Sequence, residues 1–166
     1  MSHLLTGTFL LITIMLQSGI ASRITLFSGA TDLILLFLAA WGLQSQIKNI
    51  WLWTLLTGTI LSFMSAMPFF APMFGYLALT IITQILKKRI WETPLLAMLL
   101  AVFFGTLIQH IFYFFALIIS GTPMSWIESI NLVTLPSLLL NMLLAIPVYT
   151  AVHDIALLIK PVGEIQ

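Results

Sequence analysis

Cysteine is absent from the 166 residues, which excludes disulfides and thiolate metal sites and leaves the redox compartment unmarked. Charge is the second scarcity. Six basic and five acidic residues make up 7% of the chain, against 61% hydrophobic residues. A soluble domain carries about 25% charged residues, because a solvated shell must cover its core. Without that shell the apolar surface must face hydrocarbon, and the mean hydropathy of +1.16 agrees. The net charge of +1 is spread without a basic stripe, so nucleic acid is not an expected partner.

Catalytic motifs are missing as well. The chain has no G-x-S-x-G elbow, no H-E-x-x-H, no phosphate-binding loop and no aspartate pair for a metal. Four of its five acids, Asp32, Glu92, Glu128 and Asp154, are expected at different depths, so they do not form one site. His153-Asp154 offers a metal only two ligands, where three or four are needed. No enzyme activity, cofactor, metal or soluble small-molecule substrate is expected. The N-terminus lacks the basic start of a signal peptide, and the apolar segments that follow hold the chain in the membrane.

Apolar runs dominate what is present. A spanning helix needs about 20 apolar residues at 1.5 Å each. The first run is Leu4 to Ile20. The second, Ile24 to Leu43, divides: Ile24 to Ala30 contains Ser28 and Gly29 and suits a partly buried lead-in. Thr31-Asp32 then reads as a helix start, with Leu33 to Leu43 as the helix or its extension through Lys48. The third run is Ile50 to Met67, and the fourth goes from Pro72 to Leu86, where Lys87-Lys88-Arg89 stops it. Pro94 opens the fifth, which ends near Ile119 before Gly121-Thr122-Pro123. Met124 to Asn131 suits a short interfacial helix. The last run, Leu132 to Ile159, should be kinked by Pro136 and Pro147, with neighbouring helices satisfying the freed carbonyls. The fold expected is an all-α polytopic transmembrane bundle, residues 1–166 as one integral membrane domain, with six spans, or five if the second run is re-entrant.

Basic residues set the orientation. Six spans put Lys48, Lys87, Lys88, Arg89 and Lys160 on one side and Arg23 alone on the other, which makes both termini cytoplasmic.

Polar residues inside apolar runs are functional candidates by default. Asp32 has two readings: a buried carboxylate that holds a partner helix or ligand, or a water-facing N-cap. Gln109 and His110 are adjacent, hence about 100° apart on the fifth helix, and Gln109 shares a face with Tyr113. A proton relay there would need a carboxylate at the same depth, and none is evident. Hydrogen bonding between helices is the expected role of Gln109, His110 and Asn141. Ala39, Ala40 and Gly42 permit close helix approach, and the Pro136 kink is a further candidate contact. Each of these has internal packing as its alternative to a partner contact.

The landmarks of the chain are a first helix ending in Gln17, the start Thr31-Asp32-Leu33-Ile34-Leu35-Leu36, and Gly58 in the third helix. The closing segment adds Leu135-Pro136-Ser137-Leu138-Leu139-Leu140-Asn141, followed by Pro147-Val148-Tyr149. Taken as a whole this pattern resembles the MreD family, the small membrane subunit of the bacterial rod-shape (elongasome) machinery. Ser62 stands near the place where many relatives have an aspartate, so no role of that aspartate transfers. Met67-Pro68-Phe69-Phe70-Ala71-Pro72 replaces a glycine-rich turn. The resemblance implies a non-enzymatic scaffold in the bacterial inner membrane, surrounded by lipid. Its partners would be a single-span MreC-like protein and, through the complex, the polymerase RodA and the transpeptidase PBP2. It also implies a fold like the six-helix substrate-binding subunit of energy-coupling-factor vitamin transporters. A vitamin-binding subunit of that kind is the competing expectation, although the first helix lacks its alanine-x-x-x-alanine motif.

Overall fold

Residues 33–43 read Leu-Ile-Leu-Leu-Phe-Leu-Ala-Ala-Trp-Gly-Leu, a helix with no polar side. A helix that is apolar all round belongs inside a bundle. In the computed structural model, which describes residues 2–19, 23–45, 47, 49–90, 92–122 and 125–158, that is its position. Helix α2 (Leu33–Leu43) has every residue from Ile34 to Gly42 buried. Packed against it are α1 (Ser2–Gly19), α3 (Ile50–Met64), α4 (Phe70–Arg89), α5 (Pro94–Ile119) and α7 (Leu135–Leu158). The architecture is all-α apart from one small antiparallel hairpin, β1 (Thr25–Leu26) and β2 (Gly29–Ala30), which pairs Thr25 with Ala30 and Leu26 with Gly29.

The outer faces are as apolar as the interior. Phe63, Ile119, Leu139 and Leu143 are 79%, 71%, 63% and 73% exposed. Large exposed apolar surface of this extent marks contact with lipid or partners rather than water. Among the described residues, three helices are long and apolar enough to cross a membrane: Phe70–Arg89, Pro94–Ile119 and the continuous Trp126–Leu157. That marks the chain as a membrane protein. The other apolar helices are shorter, and α2 at 11 residues spans only about 17 Å.

Polar groups and small residues fasten the helices where hydrophobicity gives no preference. Thr54 and Thr80 hydroxyls lie 2.6 Å apart between α3 and α4. Ser62 Oγ donates to Gly58 O at 2.7 Å and approaches Phe69 O at 2.8 Å, joining α3 to the start of α4. Gly75 on α4 lies against Gln109, and Gly105 on α5 lies against Leu79, so the two longest-paired helices approach closely at two levels.

Several boundaries differ from the sequence reading. Helix α4 starts at Phe70 rather than Pro72, and the Lys87-Lys88-Arg89 cluster is its last turn rather than its stop. Basic residues suit that turn, because the carbonyl end of a helix is the negative end of its dipole. Helix α3 ends at Met64 rather than Met67, and α2 covers Leu33–Leu43, the shorter of its two expected alternatives. The interfacial helix expected at 124–131 is not separate: α6 (Trp126–Glu128), opened by a Ser125/Glu128 capping box, runs through a π-helical stretch, Ser129–Thr134, straight into α7. The reason is Pro136. Lacking an N–H, it cannot donate to the carbonyl four residues back, and its ring crowds that carbonyl. The helix widens there, with Leu135 N donating to Ile130 O. Lys48, Pro123, Met124 and residues 159–166, Lys160 among them, lie outside the described residues.

Candidate polar hub and cavity

Pro136 leaves Leu132 O without a helical donor. The hairpin supplies one: Ser28 N donates to Leu132 O at 3.1 Å. Next to it Ala30 N donates to Ser137 Oγ at 3.1 Å. Gly29 lies between them with no room for a side chain. A Cβ there would stand 2.7 Å from both Ser137 N and Val133 O and 2.8 Å from the Pro136 ring. Non-helical backbone is tolerated inside a membrane protein only where such partners exist, and the π-helical stretch with the first turn of α7 provides them.

The chain then enters α2 through Thr31 and Asp32. Asn141 on α7 holds this junction, its Oδ1 accepting from Asp32 N at 2.8 Å and from Thr31 Oγ1 at 3.2 Å. Its Nδ2 donates to Thr106 Oγ1 on α5 at 3.1 Å. From the opposite side Gln17 on α1 brackets the same peptide units. Gln17 Oε1 accepts from Leu33 N at 2.7 Å, and Nε2 donates to Thr31 O at 3.0 Å.

Asp32 completes the hub. Its Oδ1 accepts from Leu35 N at 2.9 Å, an N-cap bond. Its Oδ2 accepts from Tyr76 Oη on α4 and from Gln109 Nε2 on α5, both at 2.9 Å. Gln109 Nε2 also donates to Tyr113 Oη at 2.8 Å. Both sequence readings of Asp32 therefore describe part of one arrangement: the residue caps α2 and ties two other helices to it. The expected lack of a carboxylate near Gln109 is corrected by this geometry. Sequence position put Asp32 at the surface end of a span, whereas folding carries that end inward against α5.

These groups border a cavity of ≈ 410 Å³. Asp32, Tyr76, Gln109, His110 and Tyr113 line it, with Ser28 and Ser65 at its exposed side. His110 points to a different neighbour from Gln109, as adjacent helical residues must. Its Nδ1 lies 3.2 Å from Thr134 Oγ1 on the π-helical stretch.

The remaining candidates are internal. Ala39 and Ala40 are fully buried, and a Cβ on Gly42 would meet the Thr83 methyl at 2.9 Å. Pro136 is buried under the hairpin. None of these four presents a surface to another molecule while α2 stays enclosed. Glu92, Glu128 and Asp154 are exposed and apart from Asp32, and no group of three potential metal ligands occurs among the described residues.

A second polar cluster, which the sequence reading did not anticipate, closes the other end of α2. Lys87 Nζ donates to Gln44 O at 2.5 Å, and Gln84 Nε2 donates to Gly42 O at 3.1 Å. His153 Nδ1 lies 3.1 Å from Gln44 Oε1, and its ring stacks on Tyr149 with centroids 6.0 Å apart. Orphan carbonyls at a buried helix end need such donors. The signal available in the sequence is the basic run at 87–89, expected above as a helix stop and a topology marker.

No family model, curated protein or solved structure matches the chain at a significant level.

Proposed function

We propose that this protein is a non-enzymatic scaffold subunit of the MreD type, which anchors an MreC-like single-span protein and positions it beside the RodA–PBP2 cell-wall synthase. In this reading the chain crosses the bacterial inner membrane six times with both termini cytoplasmic, the hairpin and α2 together forming the second crossing.

One observation carries the reading. Two of the segments that carry the resemblance, Thr31–Leu36 and Leu135–Asn141, are far apart in sequence and meet through Asn141 Oδ1 and Asp32 N at 2.8 Å. They form the joint that holds a short central helix within a lipid-facing shell. Polar side chains turned inward and apolar side chains turned outward suit a body that acts by packing against other spans. In lipid that contact is specified by shape and by scattered polar groups, since burial from lipid gives little drive.

Co-expression with a coiled-coil, single-span partner and purification in mild detergent tests the reading. A stable two-protein complex is expected. A chain that elutes alone under those conditions, while its fold is intact, refutes it.

A further inference from the structure

The cavity beside Asp32 has a composition that selects among ligands. Its volume of ≈ 410 Å³ lies within the range of about 300–1,000 Å³ of small-molecule sites. Among the described residues, the lining contains one carboxylate and neither lysine nor arginine. Its histidine, His110, is engaged through Nδ1 with Thr134. The groups that hold the Asp32 carboxylate are backbone amides at the start of α2, a phenol and a carboxamide. All are neutral, so they fix its position without cancelling its charge.

An anion meets the Asp32 carboxylate here and no lysine or arginine among the described lining residues. The first-turn amides of α2 that would attract one are engaged, Leu33 N by Gln17, and Ile34 N and Leu35 N by Asp32. A cation finds a fixed carboxylate and two tyrosines, Tyr76 and Tyr113, in the same wall. Aromatic faces favour ammonium groups.

We propose that this cavity is a binding site for a protonated primary amine on a small, partly apolar body, with Asp32 as its counter-ion. The ammonium belongs either to a free amine or to the headgroup of an ethanolamine lipid, which offer the same chemistry. The site stands whether or not the chain is a scaffold, because it uses no partner surface.

Tyramine and 4-ethylphenol, which share a body and differ by the ammonium, are the probes. With the full chain in neutral detergent, tyramine is expected to raise the melting temperature saturably and to bind at least about tenfold more tightly than 4-ethylphenol. Asp32→Asn should remove that preference. If Asp32→Asn does not fold, Ser65→Phe, at an exposed position on the cavity rim, should weaken tyramine binding by about tenfold or more. Equal affinity for the two probes, no saturable shift, or unchanged binding by a folded Asp32→Asn or Ser65→Phe protein overturns the proposal. Nanodiscs separate the sources. Weaker tyramine binding in phosphatidylethanolamine than in phosphatidylcholine supports the site with a lipid headgroup as its occupant. Equal binding in both supports it with a free amine.

Discussion

Ser28 N donates to Leu132 O at 3.1 Å, and Leu132 is four residues before Pro136, whose missing N–H freed that carbonyl. A defect in one helix thus becomes the docking point for the hairpin that leads into another. The same step of the bundle carries Gly29, Asn141 and Asp32, so disruption at any of them should loosen the central helix.

Gly29→Ala tests the docking itself. The added methyl would meet two backbone atoms at 2.7 Å, and neither yields as a flexible side chain would. Overpacking of this kind costs about 1–3 kcal/mol. Thermal unfolding in detergent should show the loss. Gly19→Ala, with nothing near its Cβ position, serves as the tolerant control.

The Asp32 carboxylate is expected to couple helices as well as cap one. Asp32→Ala removes the N-cap bond, at a cost of about 1 kcal/mol. It also strands the Tyr76 and Gln109 donors, which adds about 1–3 kcal/mol. A double-mutant cycle with Tyr76→Phe should give a coupling energy of about 0.5–2 kcal/mol. A coupling near zero would mean that the Tyr76 bond contributes nothing.

Asn141→Leu keeps the volume roughly constant and removes all three of its hydrogen bonds. The Asp32 amide then has no acceptor, and the loss should be about 1–3 kcal/mol. Limited proteolysis in detergent should cut first near residues 25–32, because the hairpin is what the asparagine anchors. Cleavage there at the unaltered rate contradicts the assignment.

Lys87→Met should have a smaller effect. The ammonium serves the carbonyl end of α2, a position worth about 0.3–1 kcal/mol, and Gln44 O keeps a second donor in Ile47 N at 3.3 Å. Loss of stability well above that range would show that the basic turn does more than cap α2.

How much of this was legible beforehand divides along physical lines. Helix α5 was readable end to end, because Pro94 fixes its first turn and an unbroken apolar run follows. The Asp32 cap was readable from a local rule, and so was the Gln109–Tyr113 face. The meeting of Asp32 with Gln109 was not, because it depends on how far α2 sinks into the bundle, which no local pattern encodes. The hairpin has two-residue strands, too short for alternation to register. The π-helical stretch escaped for a different reason. Pro136 announces a lost hydrogen bond, yet the sequence cannot say whether the helix breaks or widens, and here the docked hairpin lets it widen. The small residues of α2 were visible, but whether they face a sister helix or a partner is decided by the other helices around them.

The absence of cysteine makes the central claim, a bundle whose outer side chains lie in lipid, directly measurable by single-cysteine labelling in intact membranes. Leu143→Cys and Phe104→Cys should resist a water-soluble maleimide. Asp154→Cys and Lys88→Cys should react from the cytoplasmic side, and Glu128→Cys from the opposite side. Leu143→Cys reacting as fast as Asp154→Cys, or Lys88→Cys and Glu128→Cys labelled from the same side, would contradict the account.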